Sequence, residues 1–361
     1  MTLSEISNAR LINQKISIPE FNSALEVVRW MGAIQAQDYQ MAKWAIGTRL
    51  SDPSDQKIES SFDKGDIIRV HVLRPTWHLI PAEDIFWMLR LTAPKIKSLS
   101  KSRHKELGLT EPVIRKTNSI IEKALSNGSE LTREELSREF HKAKIKTDGN
   151  RLSHIMFCAE LDGIVCSGAI KGNRQTYTLL SERVPRYKHL SKEESLAELA
   201  KRYLLSRSPA TLQDFVWWSN LAVSEARQGM DSIKSDFSIE TIGSVKYWFP
   251  NSFTPIALKK PSVHLLPAYD EYLISYKDRS SSLSIINNKK TVSDNGIFRP
   301  PIVVNGQVAG LWKRIIQKNK VIISTEFFQP INKSTGKLIH ERAKMFGKFL
   351  NKEIEIIINQ Q

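Results

Sequence analysis

Apolar residues in the first part of the chain follow a helical pattern and then a strand pattern. Leu25, Val28, Met31 and Ile34 recur every three residues, which places them on one face of a helix. The run DIIRVHVLRPTWHLI further along is rich in β-forming residues. Helices followed by a short strand pair are the order of a winged helix, in which a β-hairpin wing follows a helix-turn-helix.

The same order returns in a second stretch. SIIEKALSNGSELTREELSREFHKA contains two helical patterns separated by an Asn-Gly break, and Thr132 and Glu135 have the spacing of a capping box. RLSHIMFCAELDGIV predicts a third helix, and GIVCSGAIKGNRQTYTLL predicts a hairpin. The predicted tip of this wing consists of Lys171, Gly172, Asn173 and Arg174.

The rest of the chain adds a third helical unit and a β-rich part. The helical unit is interrupted at Pro209, and the β-rich part after Pro250 contains an Asn-Gly turn at Asn305 and a closing helix in STGKLIHERAKMFGKFLNKEI. We therefore predict an α+β fold of three tandem winged-helix modules and a C-terminal domain that forms a β-barrel or a curled sheet. The predicted modules cover residues 1–112, 113–190 and 191–250, and the C-terminal domain covers residues 251–361.

The charge balance indicates a polyanionic partner. The 361 residues include 53 Lys and Arg against 38 Asp and Glu, which gives a formal charge of +15. Neutralising phosphates releases condensed counterions and supplies affinity without sequence preference. The alternative is a basic surface that has no nucleic-acid partner, and charge alone does not separate DNA from RNA.

The cysteines and the apolar runs bear on the cellular location. Cys158 and Cys166 lie in apolar surroundings at a spacing that matches no metal site, so we expect buried thiols and a cytoplasmic protein. No apolar run approaches the roughly twenty residues of a membrane span, and the first residues lack a signal-peptide pattern.

Five blocks of the sequence together resemble one family. They are GAIQAQDYQMAKWAIGTRL, LRPTWHLIPAED, RYLLSRSPATLQDFVWWSNL, LLPAYDEYLISYKDR and NGQVAGLWKR. In this order they resemble the helix-turn-helix 42 superfamily of bacterial winged-helix proteins, which includes DNA glycosylases that excise bulky N7-alkylated purines and unhook interstrand cross-links. The resemblance covers nearly the whole chain, and it implies an enzyme that hydrolyses an N-glycosidic bond and leaves an abasic site.

The resemblance also implies a catalytic pair. The superfamily signature is a glutamine, an aliphatic residue, and then glutamine or aspartate; here it is Gln35-Ala36-Gln37, similar to the AlkZ branch, whereas YcaQ-like members carry aspartate last. Asp38 lies one residue late, so the aspartate role is not carried onto it. Residues two apart share one side only in an extended segment, so the pair requires the preceding helix to end near Ile34. The alternative is that both amides cap carbonyls at a helix end.

A pair of neutral amides suits a labile substrate. A purine alkylated at N7 is cationic and departs readily, so the protein has mainly to place a water under C1′ and tolerate positive charge on the sugar. A glutamine amide offers one acceptor oxygen and two donor hydrogens, which position that water without deprotonating it.

A second block supplies candidate contacts to phosphate or to the lesion. Arg74, Thr76 and His78 alternate along RPTWHLI, so we expect them on one face of a strand, with Trp77 directed into the core. The resemblance places this block near the catalytic motif. The alternative is a purely structural polar face.

Other candidates for DNA contact are basic or polar residues elsewhere. The wing tip is suited to phosphate or minor-groove contact, although an ordinary solvated turn has the same composition. The remaining basic candidates are single residues in a chain rich in them. Together these candidates are Lys171, Asn173, Arg174, Arg279, Lys313 and Arg314.

Two further pairs are expected to be structural. Asp270 and Glu271 in PAYDEY are electrostatic partners for a cationic transition state or, as we favour, members of structural ion pairs. Trp217 and Trp218 are expected to pack in the core rather than stack on bases.

The leading hypothesis is a monofunctional DNA glycosylase that acts on double-stranded DNA as a monomer in the bacterial cytoplasm, associated with the nucleoid. The chain has no zinc spacing, no Walker or dinucleotide phosphate loop and no G-x-S-x-G elbow, so we expect no metal and no cofactor. The alternative is a non-enzymatic winged-helix DNA-binding protein, such as a transcriptional regulator, whose recognition helices lie free for the major groove.

Overall fold

The computed structural model describes residues 1–172, 174–254 and 261–359. Helices alternate with short strand pairs up to about residue 250, and a five-stranded sheet follows. The α+β architecture predicted from the sequence is therefore confirmed.

The first part of the chain holds the segment with the two glutamines. Its elements are α1 (Leu3–Asn13), α2 (Ala24–Met31), β1 (Ile34–Gln35), α3 (Tyr39–Gly47), α4 (Asp55–Lys64), β2 (Ile67–His71), β3 (Trp77–Pro81), a 3₁₀ turn (Ala82–Asp84) and α5 (Ile85–Glu106). The strands form an antiparallel sheet in the order β1-β3-β2. Gln35 lies opposite His78 in this sheet.

The second part has the winged-helix order. Its elements are α6 (Glu111–Leu125), β4 (Leu131–Thr132), α7 (Arg133–Lys142), α8 (Arg151–Leu161), β5 (Val165–Ser167), β6 (Thr176–Leu179) and α9 (Leu180–Arg183). The capping box predicted at Thr132 and Glu135 starts α7, as expected. Lys171 and Arg174 pair across the predicted wing tip, and Asn173 lies outside the described residues.

The third part contains helices and one strand pair. Its elements are α10 (Lys192–Arg207), α11 (Leu212–Ser219), α12 (Val223–Ser232), a 3₁₀ turn (Lys234–Asp236), β7 (Phe237–Ile242) and β8 (Val245–Pro250). Pro209 separates α10 from α11, as the sequence indicates, and Thr211 starts α11 with a capping box. The helices precede the hairpin, which is again the order of a winged helix. The number of winged-helix modules stays a prediction.

The C-terminal part is a sheet in the order β13-β12-β11-β10-β9. Its elements are β9 (Val263–Leu265), α13 (Glu271–Ile274), α14 (Ile285–Thr291), β10 (Pro301–Val304), β11 (Gln307–Ile316), β12 (Lys320–Phe327), α15 (Lys333–Leu350) and β13 (Glu353–Asn359). Asn305 and Gly306 both have positive φ and connect β10 to β11, which confirms the predicted turn.

The predicted end of the closing helix is wrong. The helix was expected to include residues 351–354, but α15 ends at Leu350, and Asn351 caps it in the left-handed conformation. The next residues form β13, parallel to β12. Ile354, Ile356 and Ile358 pack against the neighbouring core and alternate with the exposed residues Glu355 and Ile357.

The hydrophobic cores cross the predicted module boundaries. One cluster joins Met31 and Trp44 of the first part to Trp312 and Phe346 of the C-terminal part. Another joins residues of all three helical parts. The candidate segment lies where these clusters meet, and the module boundaries themselves stay predictions.

Candidate active site

The segment that follows α2 has the conformation that the candidate pair requires. The helix ends at Met31, and Gly32 turns the chain with φ +69°, a value that glycine tolerates. β1 starts at Ile34, so the chain is extended where the first glutamine lies. The hydrogen bond from the Ala36 N–H to the Trp77 carbonyl, 2.7 Å, continues the pairing towards Gln37.

The two glutamines have different surroundings. Gln35 is buried, and its side-chain Oε1 accepts a hydrogen bond of 2.6 Å from Nη2 of Arg74. Gln37 is exposed, and its Oε1 accepts from the backbone N–H of Trp77 over 3.2 Å. The Gln35 amide is therefore held in the interior by Arg74, whereas the Gln37 amide is open to solvent.

Asp38, the next residue, is the N-cap of α3. Its side chain accepts a hydrogen bond of 3.0 Å from the Met41 N–H and so caps the start of α3. Arg314 reaches it over 3.4 Å. This agrees with leaving Asp38 out of the candidate pair.

A buried ion pair holds the backbone before and at Gln35. Arg207 donates to the carbonyls of Met31 and Ala33 over 2.7 and 2.9 Å, and to Glu271 Oε2 over 2.9 Å. Oε1 of Glu271 accepts the Gln35 N–H over 2.8 Å. The segment is therefore tied to α10 and α13, which lie far along the chain.

Glu271 is ionised, and both of its carboxylate oxygens accept hydrogen bonds. Burial by itself raises its pKa, but the charge of Arg207 and hydrogen bonds from Ser275, Arg207 and the Gln35 N–H together lower the pKa to about 2. Oε2 also accepts from Trp218 Nε1 over 3.0 Å. The structural ion-pair interpretation of Asp270 and Glu271 is confirmed, since Asp270 pairs with Arg49 over 3.1 Å.

Arg69 holds the segment from the other side. Its Nε donates to the carbonyl of Ala36, between the two glutamines, over 3.0 Å, and its Nη1 donates to Gln175 of the second part. Its guanidinium lies 4.1 Å from the centre of the Trp77 ring. Burial lowers the pKa of Arg69 to about 10. The peptide between the candidate catalytic residues is thus fixed by a buried cation.

The predicted shared strand face of Arg74, Thr76 and His78 is wrong. β3 starts only at Trp77, and residues 72–76 form a tight turn in which Leu73 has φ +64°. Hydrogen bonds run from the Arg74 N–H to the Val72 carbonyl and from the Thr76 N–H to the Arg74 carbonyl, 2.8 and 2.7 Å. Arg74 and Thr76 therefore project from a turn.

His78 and Trp77 differ from expectation as well. His78 is fully buried, with Nδ1–H donating to the Thr76 carbonyl over 2.9 Å, so it offers no surface to a phosphate. Burial and the charge of Arg74 lower the pKa of His78 to about 3. Trp77 is half-buried at the edge of the core rather than inside it.

The other nominated residues lie at three places. Lys171 and Arg174 are exposed at the wing tip of the second part, whereas Lys313 and Arg314 lie on β11, with Arg314 next to Asp38. Arg279 is half-buried and lies over Trp217, 5.3 Å from the ring centre.

Sequence reasoning missed some residues of the site. Arg69 and Arg207 were not nominated, although a charged residue in the middle of a buried strand such as IIRVH always needs partners and was a usable signal. Trp217 was expected in the core, but it is 41% exposed, whereas Trp218 is fully buried as expected.

The two thiols are buried, and the described residues form no metal-binding cluster. Cys158 and Cys166 are buried, and burial raises the pKa of each thiol to about 12. Over residues 1–172, 174–254 and 261–359, no cluster of three or more His, Cys, Asp or Glu side chains is arranged to hold a metal ion. In the same residues no helix is both long enough and apolar enough to cross a membrane.

Comparison with known proteins adds a family and a fold. A family model described as DNA glycosylase AlkZ-like matches residues 28–349. Among solved structures, the chain is similar to Streptomyces sahachiroi DNA glycosylase AlkZ, with a TM-score of 0.79 and 20% identity over 99% of this chain and 100% of that chain. A comparison with curated proteins gives no significant match.

Proposed function

This chain belongs to the AlkZ-like DNA glycosylase family, and from this premise we propose that it hydrolyses the N-glycosidic bond of N7-alkylated purines in duplex DNA. The observation that carries the proposal is the extended Gln35–Gln37 segment, held from three sides by Glu271, Arg207 and Arg69. Rigid support of this kind keeps a catalytic group in position without reorganisation during the reaction.

Gln37 is proposed to orient the attacking water. Its amide is open to solvent, and an oxygen that already accepts from the Trp77 N–H keeps a second lone pair for a water. The amide does not deprotonate the water. Attack therefore depends on a leaving base that is already cationic, which restricts the enzyme to labile N7-alkylated purines.

Gln35 is proposed to help position the attacking water, and Glu271 is proposed to hold Gln35 in place. Glu271 stays ionised well below neutral pH, since its pKa is about 2, so it does not serve as a general acid. Its charge is balanced by Arg207, and its role is to hold the Gln35 backbone. The chemistry is accordingly monofunctional hydrolysis that leaves an abasic site.

The DNA is proposed to contact half-buried residues of the turn before β3 and exposed basic residues of the wing and of β11. The candidate contacts are Arg74 and Thr76 in the turn, Lys171 and Arg174 at the wing, and Lys313 on β11. Because Gln37 lies at the surface, a bulky adduct or an interstrand cross-link does not have to be fully extruded before attack. Cross-link unhooking is therefore part of the proposal.

The test measures release of free base from duplex DNA that carries N7-methylguanine, with a cross-linked duplex as a second substrate. The variants are Gln35→Ala and Gln37→Ala, and Gln40→Ala is the matched control, since Gln40 is an exposed glutamine in the same stretch. We expect loss of release by the first two at nearly unchanged DNA affinity. Unchanged release by Gln37→Ala contradicts the catalytic role, and no release by the unsubstituted protein favours a non-enzymatic DNA-binding protein.

A further inference from the structure

The Nε and Nη2 groups of Arg74 form one edge of the guanidinium that can donate to two oxygens, but only Nη2 has an acceptor in the described residues. Its Nη2 donates to Gln35 Oε1 over 2.6 Å, whereas its Nε is buried and has no partner among the residues that the structure describes. Arg29 shows full use of the same edge, since its Nε and Nη2 bind both carboxylate oxygens of Glu83 over 3.1 and 3.0 Å. The Arg74 edge therefore suits an anion with two oxygens.

Arg279 carries a second unpartnered donor, beside α13. Its Nε donates to the Leu273 carbonyl over 2.9 Å, but its Nη2 is buried without a partner in the described part of the chain. Both arginines are connected to α13: Arg279 through the Leu273 carbonyl, and Arg74 through Gln35, whose N–H binds Glu271. Burial lowers the pKa of Arg279 to about 10, and the charge of Arg74 contributes to the decrease.

Neither cation is paired directly with a carboxylate in the described residues, although Glu271 lies near Arg74, and Asp214 and Asp278 lie near Arg279. Arg49 and Arg207 each have a carboxylate oxygen within 3.1 Å, whereas no carboxylate of residues 1–172, 174–254 and 261–359 lies within 4.0 Å of Arg74 or Arg279. Two half-buried guanidinium groups without a directly paired carboxylate are stabilised by a bound anion. The anion that the proposed substrate supplies is a phosphodiester.

We propose that Arg74 and Arg279 bind one phosphodiester of the DNA backbone beside the target nucleotide, and that this phosphate releases Gln35 from Arg74. The inference rests on the proposed function, since it takes duplex DNA as the ligand. A phosphate offers a negative charge and two oxygens to the Nε and Nη2 edge of Arg74, whereas the Gln35 amide is neutral and offers one oxygen. The phosphate therefore displaces Gln35 Oε1 from Nη2, and the freed amide oxygen becomes available to the water.

The binding part is tested through salt dependence on unmodified duplex DNA. Affinity is measured by fluorescence anisotropy over a range of salt concentrations for Arg74→Gln, Arg279→Gln and the double variant. Each phosphate contact contributes about 0.9 to the slope of log K against log salt. We expect each single variant to lose about that amount and the double variant to lose no more, because the two arginines share one phosphate.

A matched control and a modified probe locate the contact. Arg115→Gln removes an exposed arginine of α6 and is expected to leave the slope unchanged. A duplex in which one phosphodiester beside N7-methylguanine is replaced by a neutral methylphosphonate should bind the unsubstituted protein several-fold more weakly, but bind Arg74→Gln without further loss. Unchanged slopes in both arginine variants, with intact thermal unfolding, overturn the proposal.

The release of Gln35 is tested by single-turnover base excision at saturating DNA. If phosphate binding frees Gln35, the unsubstituted protein should excise base several-fold more slowly from the methylphosphonate duplex at saturating DNA, because Arg74 still holds the Gln35 amide there. Equal single-turnover rates on the methylphosphonate duplex and on the duplex with an unmodified backbone show that the phosphate does not free Gln35, and they overturn the proposal. The salt slopes need no chemistry, so they stand even if N7-methylguanine is not a substrate and the proposed function fails.

Discussion

Asp270 and Glu271 are neighbours in the chain, yet their side chains form ion pairs in two different regions of the interior. Both are buried, and each pairs with a buried arginine, Arg49 over 3.1 Å and Arg207 over 2.9 Å. On the Asp270 side, Arg49 also binds Gln14 of the N-terminal part over 2.8 Å. That region joins elements of the fold, and within the described residues the side chains of Asp270 and Arg49 make no hydrogen bond to the glutamine segment.

The Glu271 region differs in what it holds. The same kind of ion pair there binds the Gln35 N–H and the Ala33 carbonyl. A buried ion pair adds little stability compared with apolar packing, but removing one member leaves a charge without compensation in the interior. Substitutions in the two regions should therefore lower stability by similar amounts, but only those in the Glu271 region should slow catalysis.

The largest expected effect comes from comparing Glu271→Gln with Asp270→Asn. Each leaves an arginine buried without its counterion, so each should lower the free energy of unfolding by about 3 kcal/mol. Only Glu271→Gln moves the glutamine segment, and a shift of about 1 Å can cost about 100-fold in rate. Denaturant unfolding and single-turnover base release, corrected for the folded fraction, measure both quantities. Equal slowing by Asp270→Asn would break the comparison.

Arg69→Met tests whether holding the segment is what matters. Arg69 binds the Ala36 carbonyl from the side opposite Glu271, so its loss should slow base release about tenfold while DNA affinity changes little. Arg183→Met is the control, since Arg183 is also largely buried but binds Glu130 and the Phe62 carbonyl. If both variants lose activity in proportion to stability, Arg69 has no positioning role.

The acid stability of the Glu271 region gives a third test. The pKa of Glu271 is lowered from 4.5 to about 2 in the fold, so the unfolded chain binds the extra proton first as pH falls. The stability that the carboxylate contributes is complete above pH 4.5 and is lost between pH 4.5 and about 2. The difference in unfolding free energy between the unsubstituted protein and Glu271→Gln should shrink over that interval. A constant difference would contradict the low pKa.

The comparison also shows what local sequence patterns encode. The capping box at Thr132, the turn at Asn305 and the helix end at Gly32 were all predictable, because each depends on residues within a few positions. The separation of Asp270 from Glu271 was not, because their partners Arg49 and Arg207 lie far away along the chain and only the tertiary fold brings them together.

Two errors have a local physical cause. Strand alternation was extended from His78 back to Arg74, but a tight turn with Leu73 at positive φ precedes β3, and no sequence signal marks that non-glycine conformation. Trp217 was assigned to the core together with Trp218, although adjacent helical residues point about 100° apart, so only one of them faces the interior.

The smallest effect on activity is expected for substitutions at the wing of the second part, which belongs to neither the Asp270 region nor the Glu271 region. Lys171 and Arg174 are exposed, and neither contacts the glutamine segment in the described residues. Lys171→Gln and Arg174→Gln should each weaken DNA binding only a few-fold, lower the salt slope by about 0.9 and leave single-turnover release unchanged. Anisotropy titrations and excision at saturating DNA separate these quantities. If a wing variant slowed excision at saturating DNA, the wing would also help to position the glutamine segment. The connection would run through Gln175 and Arg69, and the wing residues would count as positioning residues as well as binding residues.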